Sequence, residues 1–185
     1  SIDIFTNKKE KEKVNSLIKK NNLKDFFILI NSGGNNPAVN ENIRKIPDKI
    51  FHDVVFELSQ RSQVVFLGAP NEKEYYENFI FNSNCINFVG KTNIQETYLL
   101  MKKAKFIFVT DCGPMHMASA ATDKILSVFG PTNPKRKAPL RENARVIWKD
   151  QKNYEESYEL YGRLPKGKFF NKLKAKEILE KIYEE

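Results

Sequence analysis

Short, continuous apolar runs alternate with helical patterns along most of this chain. The runs occur in DFFILIN, QVVFLGAP, INFVG, KFIFVT and KILSVFG, with ARVIW as a sixth. A run that is apolar throughout is typical of a strand buried on both faces of a parallel sheet. Strands and helices alternating at this spacing are joined by right-handed crossovers. We therefore predict an α/β fold, a Rossmann-like, doubly wound, six-stranded parallel sheet with strand order 3-2-1-4-5-6.

The segments between these runs predict the covering helices. NKKEKEKVNSLIKKNN is amphipathic, and PDKIFHDVVFELSQRS, NEKEYYENFIFNSN, TNIQETYLLMKKA and GPMHMASAA follow the first four strands in turn. Thr92 and Gln95 fit a capping box at the start of the fourth of these five helices. A helix at about 171–184 ends the chain. We predict one domain over 1–185 with its core at 24–150.

The charge of the chain limits its partners without selecting one. Lysine and arginine number 31 against 23 acids, a net charge of +8, which favours a phosphorylated ligand, nucleic acid or an anionic membrane. The basic clusters are typical of solvated surface, and no nucleic-acid motif accompanies them, so we expect no nucleic-acid partner. No apolar run is long enough to span a bilayer and no leader pattern begins the sequence. We expect a cytoplasmic protein.

Two unusual loops follow the first and fourth predicted strands. They are NSGG at 31–34 and TDCGPMH at 110–116. In the predicted strand order the chain reverses direction between these two strands, and ligands bind outside the carboxyl ends at such a point. The two loops are therefore expected to face each other across a ligand site.

The glycines of these loops allow backbone amides to approach an anion. Gly33 and Gly34 form a double-glycine loop, which is neither a GxGxxG nor a GxxxxGK[ST] motif, and Arg44 follows it before the next helix. Gly113 permits a tight strand-to-helix turn, and Pro114 suits the first helical position. Free amides at a helix start form an anion site. The combination favours a phosphorylated ligand.

Asp111, Cys112 and His116 admit three interpretations. A metal site needs three or four ligands, and no other histidine or suitably spaced acid joins these three residues. A Cys112–His116 nucleophile pair lacks a third group to orient it. A polar turn that anchors a ligand is favoured, with Asp111 accepting hydrogen bonds from sugar hydroxyls. The loop FGPTNP adds Gly130 and Thr132 on the same rim, either as ligand contacts or as a rigid turn.

The motifs VTDCGPMHMASAA and FGPTNP, preceded by VVFLGAPNEKE and FVGKTNIQETYLLMKKAKF, resemble glycosyltransferase family 9, the lipopolysaccharide heptosyltransferases. The family has the GT-B fold of two Rossmann-like domains, and residues 26 to 148 resemble its C-terminal, donor-binding domain. The resemblance implies that Asp111 binds the sugar, that Arg44 contacts the donor diphosphate, that Glu72 contacts the ribose and that Thr92 lies beside the base.

The resemblance also implies what this chain lacks. The family's general base belongs to the N-terminal acceptor domain, so the chain by itself is expected to be inactive. No DxD motif occurs, and no metal or cofactor is expected, since the nucleotide-sugar is a substrate. Departures from the family pattern are Ile46 in place of a tryptophan and Cys112 in place of a small hydroxyl residue.

The function expected is that of the donor-binding domain of an inverting glycosyltransferase that uses ADP-heptose in lipopolysaccharide core or related glycan synthesis. The acceptor is a glycolipid, reached through the missing domain, with peripheral contact to the inner membrane. Alternatives are a non-catalytic sugar-nucleotide binding module, a nucleic-acid binder and a sugar-nucleotide epimerase. Asp111 and Arg44 are the expected catalytic residues. The expected donor-binding residues are Ser32, Gly33, Gly34, Glu72, Thr92, Cys112, Gly113, Pro114, Met115, His116, Gly130 and Thr132.

Overall fold

A computed structural model describes residues 4–33, 41–139 and 141–184. Its centre is a six-stranded, wholly parallel sheet with the order β3-β2-β1-β4-β5-β6, as predicted. The strands are β1 Phe27–Ile30, β2 Val64–Phe66, β3 Cys85–Asn87, β4 Phe106–Thr110, β5 Ile125–Phe129 and β6 Arg145–Trp148.

The central strands are buried on both faces, which explains their continuous apolar character. Successive side chains of a strand point to opposite faces of the sheet. In β1, Phe27 and Leu29 therefore join one core cluster, while Ile28 and Ile30 join the other. The sheet thus separates two apolar layers, and helices cover each of them.

The helices are α1 Lys8–Lys20, α2 Asp48–Ser59, α3 Lys73–Glu77, α4 Ile94–Lys103, α5 Gly113–Ala121, α6 Pro134–Lys137, α7 Glu156–Tyr161 and α8 Ala175–Tyr183. Helices α2, α3 and α8 contribute side chains to the layer that contains Phe27. Helices α1, α4 and α5 contribute to the layer that contains Ile28. This arrangement leaves the loops at the carboxyl ends of the strands to form a rim.

Three details of the elements differ from the sequence-based predictions. Helix α3 ends at Glu77, and a 3-10 turn at Pro70–Glu72 precedes it, so the helix is shorter than expected. The capping box of α4 is formed by Asn93 and Glu96, one residue after the predicted pair. The short helices α6 and α7 were not predicted, because neither is long enough to show an apolar period.

None of the helices in the described ranges is long and apolar enough to cross a membrane. Cys85 is buried in the apolar layer that contains Phe27.

Candidate functional site

The loops after β1 and β4 meet at the rim of the sheet. The Ser32 amide donates to the Thr110 hydroxyl at 2.9 Å, and that hydroxyl donates to the Ser32 carbonyl at 2.6 Å. Both residues are buried, so this pair of hydrogen bonds fixes the end of one strand against the end of the other. The prediction that these two loops lie together is confirmed.

Asn31, the first residue after β1, holds the segment that leads into α2. Its side-chain oxygen accepts from the Ile46 amide at 2.9 Å, and its side-chain nitrogen donates to the Ile46 carbonyl at 3.1 Å. The same nitrogen donates to the Tyr75 hydroxyl at 2.7 Å, and the Asn31 amide donates to the Tyr76 hydroxyl at 2.9 Å. Asn31 is fully buried, so the position of Ile46 is set by these bonds.

Arg44 lies two residues before Ile46, at the end of the 3-10 turn Glu41–Arg44. Its side chain reaches across the switch point, where Nη1 lies 3.7 Å from Oδ2 of Asp111. Its Nε donates to the Tyr158 hydroxyl at 3.1 Å, and its guanidinium lies 5.6 Å from the centre of that ring. Arg44 therefore joins the β1 side of the rim to the β4 side and to α7, and the two residues expected to be catalytic lie together.

Asp111 follows β4 directly and is 3% exposed. Its Oδ2 has no hydrogen-bond partner within the described part of the chain. Buried polar atoms are nearly always hydrogen-bonded, because leaving one unpaired is costly. Attraction to Arg44 offsets part of that cost, but a carboxylate oxygen remains able to accept a hydrogen bond from a ligand.

The start of α5 supplies fewer amides than the sequence predicted. Pro114 has no N–H, and the Met115 amide donates to the Cys112 carbonyl at 3.0 Å. On the facing loop the Ser32 amide is engaged by Thr110. The expectation that the amides of Ser32 and Met115 are free to bind a phosphate is therefore wrong, whereas donor contact by other atoms of these two residues stays a prediction.

The amide of Gly113 remains, since it makes no hydrogen bond to any residue in the described ranges. Gly113 is exposed, and a Cβ atom built on it would have no neighbour within 4 Å among the residues that the structure describes. Packing within the chain thus gives no reason for glycine here, whereas the close approach of a ligand does. The amide of Gly33 lies on the facing loop, and Gly34 lies outside the described residues.

Cys112 is buried beneath this turn. Burial raises the pKa of its thiol to about 12, and the nearby Asp111 carboxylate acts in the same direction. A thiol in this state is not a nucleophile at neutral pH, so the alternative of a Cys112–His116 nucleophile pair is wrong. A donor contact by Cys112 would use its backbone and stays a prediction. His116 is exposed on α5.

The residues expected near the base and ribose have partners inside the chain. Glu72 accepts a hydrogen bond from the Ala69 amide at 3.0 Å, and its carboxylate lies beside Gly68. The Thr92 hydroxyl is hydrogen-bonded to that of Thr97 at 2.8 Å. Glu72 is only half-buried, so one carboxylate can cap the turn and still face a ligand. The donor contacts of both residues stay predictions.

Gly130 and Thr132 follow β5 and are both buried. A Cβ atom on Gly130 would lie 2.5 Å from the Phe170 ring, and the Gly130 carbonyl accepts from the Trp148 indole at 3.0 Å. Packing therefore accounts for Gly130, as the rigid-turn alternative proposed. The hydroxyl of Thr132 has no hydrogen-bond partner in the ranges the structure describes, and ligand contact by either residue stays a prediction.

Three residues of this site were missed by reasoning from the sequence: Asn31, Thr110 and Tyr158. A signal existed for the first two, since each is a polar residue at the end of an apolar run and the two strands were predicted to be neighbours. No signal pointed to Tyr158, which reaches Arg44 from 114 residues away.

The described residues contain no group of three or more His, Cys, Asp or Glu side chains able to hold a metal ion.

The profile of glycosyltransferase family 9 (heptosyltransferase) matches residues 7–161, most of the chain. The chain belongs to glycosyltransferase family 9. Lipooligosaccharide heptosyltransferase 2 of Haemophilus influenzae is 35% identical to it over 63 residues, which are 34% of this chain and 18% of the relative. The resemblance proposed from the two loop motifs is therefore confirmed.

Solved structures share the fold. E. coli ADP-heptose lipopolysaccharide heptosyltransferase II superposes with a TM-score of 0.73 and 19% identity, over 97% of this chain and 51% of that one. The glycosyltransferase family 9 protein of Veillonella parvula gives 0.74 and 19%, over 97% and 52%. The chain thus spans about half the length of these family members, with the Rossmann-like architecture expected of a GT-B half.

Proposed function

We propose that this family 9 chain is the donor-binding domain of an inverting glycosyltransferase that acts in lipopolysaccharide core or related glycan synthesis. The observation that carries the proposal is the Asp111–Arg44 pair at the switch point, where a buried carboxylate oxygen accepts no hydrogen bond from the described residues. The donor is a nucleotide-diphospho-sugar. We favour ADP-heptose, which is named for the E. coli heptosyltransferase of the same fold.

The proposed donor extends along the rim in the order of the strands. Glu72 follows β2 and faces the ribose, with the base beyond it towards Thr92. The diphosphate lies between β1 and β4, beside Arg44 and the amides of Gly33 and Gly113, because a cation and backbone amides are what an anion requires. The sugar then lies against Asp111, whose unpaired oxygen accepts a hydrogen bond from a hydroxyl.

Transfer breaks the bond between the anomeric carbon and the diphosphate oxygen, so negative charge develops on the leaving nucleoside diphosphate. Arg44 stabilises that charge. Its side chain is positioned by the hydrogen bond to the Tyr158 hydroxyl, and its backbone segment is anchored by the bond between Ile46 and Asn31. Arg44 also lets the Asp111 carboxylate and the diphosphate occupy one site without strong mutual repulsion. Asp111 orients the sugar for attack from the opposite face.

The acceptor hydroxyl and the base that takes its proton are, in this proposal, supplied from outside this chain. Charge neutralisation by Arg44 and the two amides makes a metal ion unnecessary, so activity should persist in a chelator. A net charge of +8 suits work at the cytoplasmic face of an anionic membrane.

Thermal unfolding with a panel of nucleotides and nucleotide-sugars tests donor binding. A ligand at 100 times its dissociation constant stabilises the fold by about 2.7 kcal/mol. We expect ADP-heptose and ADP to stabilise the chain, and Arg44→Gln to lose most of that shift. Arg61→Gln, an exposed arginine before β2, is the matched control and should retain it.

Three outcomes decide among the functions considered. Absence of stabilisation by every nucleotide contradicts the donor site, as does an equal loss in the Arg44 and Arg61 variants. Stabilisation without sugar transfer, when the chain is assayed within its complete protein and with a glycolipid acceptor, supports the non-catalytic binding module instead.

A further inference from the structure

A basic groove runs between α5 and α6 on the β5 side of the rim. Its volume is about 780 Å³, and it is open to solvent along one side. Four cationic side chains line it together with His116, and no acidic side chain does. The cations are Lys135, Arg136, Lys137 and Arg141.

Three of these cations are held by the protein. Arg136 forms an ion pair with Glu156 at 3.2 Å, and Lys137 lies 3.8 Å from Glu159, both acids being on α7. Arg141 donates to the carbonyls of Ser119 and Ala120 at the end of α5. These contacts fix the groove's shape and position its positive charge.

Lys135 differs from the other three. It is exposed, and its side chain makes no ion pair with any residue in the parts of the chain described. The groove therefore combines three cations that are held by contacts within the protein with a lysine that is able to pair with a ligand.

The groove continues directly from the donor site. His116 lines the groove and lies three residues after Gly113, so the two residues share one face of α5, one turn apart. Along the rim the order is β2, β1, β4, β5. With the ribose at β2, the diphosphate between β1 and β4 and the sugar at Asp111, the next position is the groove.

We propose that this groove binds an anionic group, a carboxylate or a phosphate, of the acceptor saccharide. The inference rests on the proposed function, since the sugar must lie against Asp111 for its acceptor to lie beside His116. The charged part of the donor is accounted for on the β1 side by Arg44. A neutral sugar gives no reason for Lys135 beyond it, which has no ion pair among the described residues. An acceptor that carries negative charge does give a reason, because complementary charge steers and orients it.

Charge reversal at Lys135 tests the groove in the complete transferase. We expect Lys135→Glu to raise the KM for the acceptor about 10-fold, in the range found for a close charge pair, and Lys135→Gln about 3-fold. The KM for the donor should stay constant. Glutamate near the start of α6 is compatible with helix formation, so the fold should be retained. Lys124→Glu, an exposed lysine before β5, is the matched control.

Two modified acceptors identify the anionic group. If removal of the acceptor's phosphates makes the wild type and Lys135→Glu equal, the group is a phosphate; if reduction of its carboxylates does so, it is a carboxylate. Either result supports the proposal. An effect of Lys135→Glu that survives both modifications overturns it, as does an equal effect of Lys124→Glu. Failure of the wild type to transfer sugar from any donor would instead contradict the proposed function itself.

Discussion

Two ion pairs in this molecule have equally buried carboxylates, but they differ in the hydrogen bonds that those carboxylates accept. Glu96 has a side chain 5% exposed, accepts from Lys13 at 2.8 Å and also accepts from the Asn93 amide at 3.0 Å. Asp111 has a side chain 4% exposed but lies 3.7 Å from Arg44, and its Oδ2 has no hydrogen bond among the described residues. Burial alone does not distinguish the two pairs; the completeness of their hydrogen bonding does.

The difference separates a structural pair from a functional one. Glu96 caps α4 and ties it to α1, so each of its interactions stabilises the fold. Asp111 retains an unused acceptor at the rim, which is useful only when a ligand donates to it. The comparison predicts that changes at Glu96 alter stability, whereas changes at Asp111 alter sugar transfer.

The largest effect is expected at Asp111. Asp111→Asn should lower kcat/KM of the complete transferase about 100-fold, as loss of a charged group that acts on the transition state does. The free energy of unfolding should change little, because a poorly bonded carboxylate is being replaced. Glu96→Gln is the control and should leave kcat/KM unchanged. Full turnover by Asp111→Asn would remove Asp111 from the mechanism.

Asn31 combines features of both carboxylates. Its side chain is hydrogen-bonded, like that of Glu96, and it also supports the site, because it holds Ile46, two residues after Arg44. Asn31→Ala leaves the amide and carbonyl of Ile46 without their partners and should cost about 2 kcal/mol of unfolding free energy. The KM for the donor should rise as well, because Arg44 loses its support. Asn143→Ala, which removes an exposed hydrogen bond to Asp123, should affect neither quantity. An unchanged donor KM in folded Asn31→Ala would show that Asn31 is only structural.

Two glycines on the rim provide a matched test of packing against ligand approach. Gly130→Ala drives a methyl group into the Phe170 ring and should destabilise the fold by about 1.5 kcal/mol. Gly113→Ala brings its methyl group within 4 Å of no other described residue and should stabilise α5 by about 0.5 kcal/mol. Only the Gly113 variant should lose stabilisation by ADP beyond what its own stability explains. Urea unfolding with and without ADP measures both quantities, and identical behaviour of the two variants would contradict the distinction.

The smallest effect concerns pH. Burial acts to raise the pKa of Glu96, but hydrogen bonds from Lys13 and Asn93 outweigh it, and the pKa is lowered from 4.5. A lowered pKa in the folded state means that the stabilisation is present above about pH 4.5 and is lost as pH falls through the folded-state value. Lys13→Gln should cost about 1 kcal/mol at pH 7. That difference should shrink at pH 3.5 in urea titrations, and a constant difference would contradict the assignment.

The fold was predictable because the central strands are buried on both faces and each covering helix has an apolar side, so local patterns and tertiary packing agree. Asp111 and Gly113 were predictable because the strand order places the end of β4 at a switch point. The position of Arg44 after the double-glycine loop indicated contact with a phosphorylated ligand, and the family resemblance specified the donor diphosphate.

The remaining features depend on contacts between distant parts of the chain. The engagement of the Ser32 amide by Thr110 and the support of Arg44 by Tyr158 join residues more than 70 positions apart. No periodicity or motif encodes such a pair. The same applies to Gly130, where the close approach of the Phe170 ring requires a glycine.

The central claim is that a nucleoside diphosphate binds between β1 and β4, against Arg44 and the start of α5. Amide NMR of this 21.5 kDa chain titrated with ADP measures that directly. The account predicts that the largest shift changes occur at Gly33 and Gly113 and at the Arg44 side-chain Nε–H, with Arg61 and Lys124 unaffected. Shift changes confined to other surfaces, or none at saturating ADP, would contradict it.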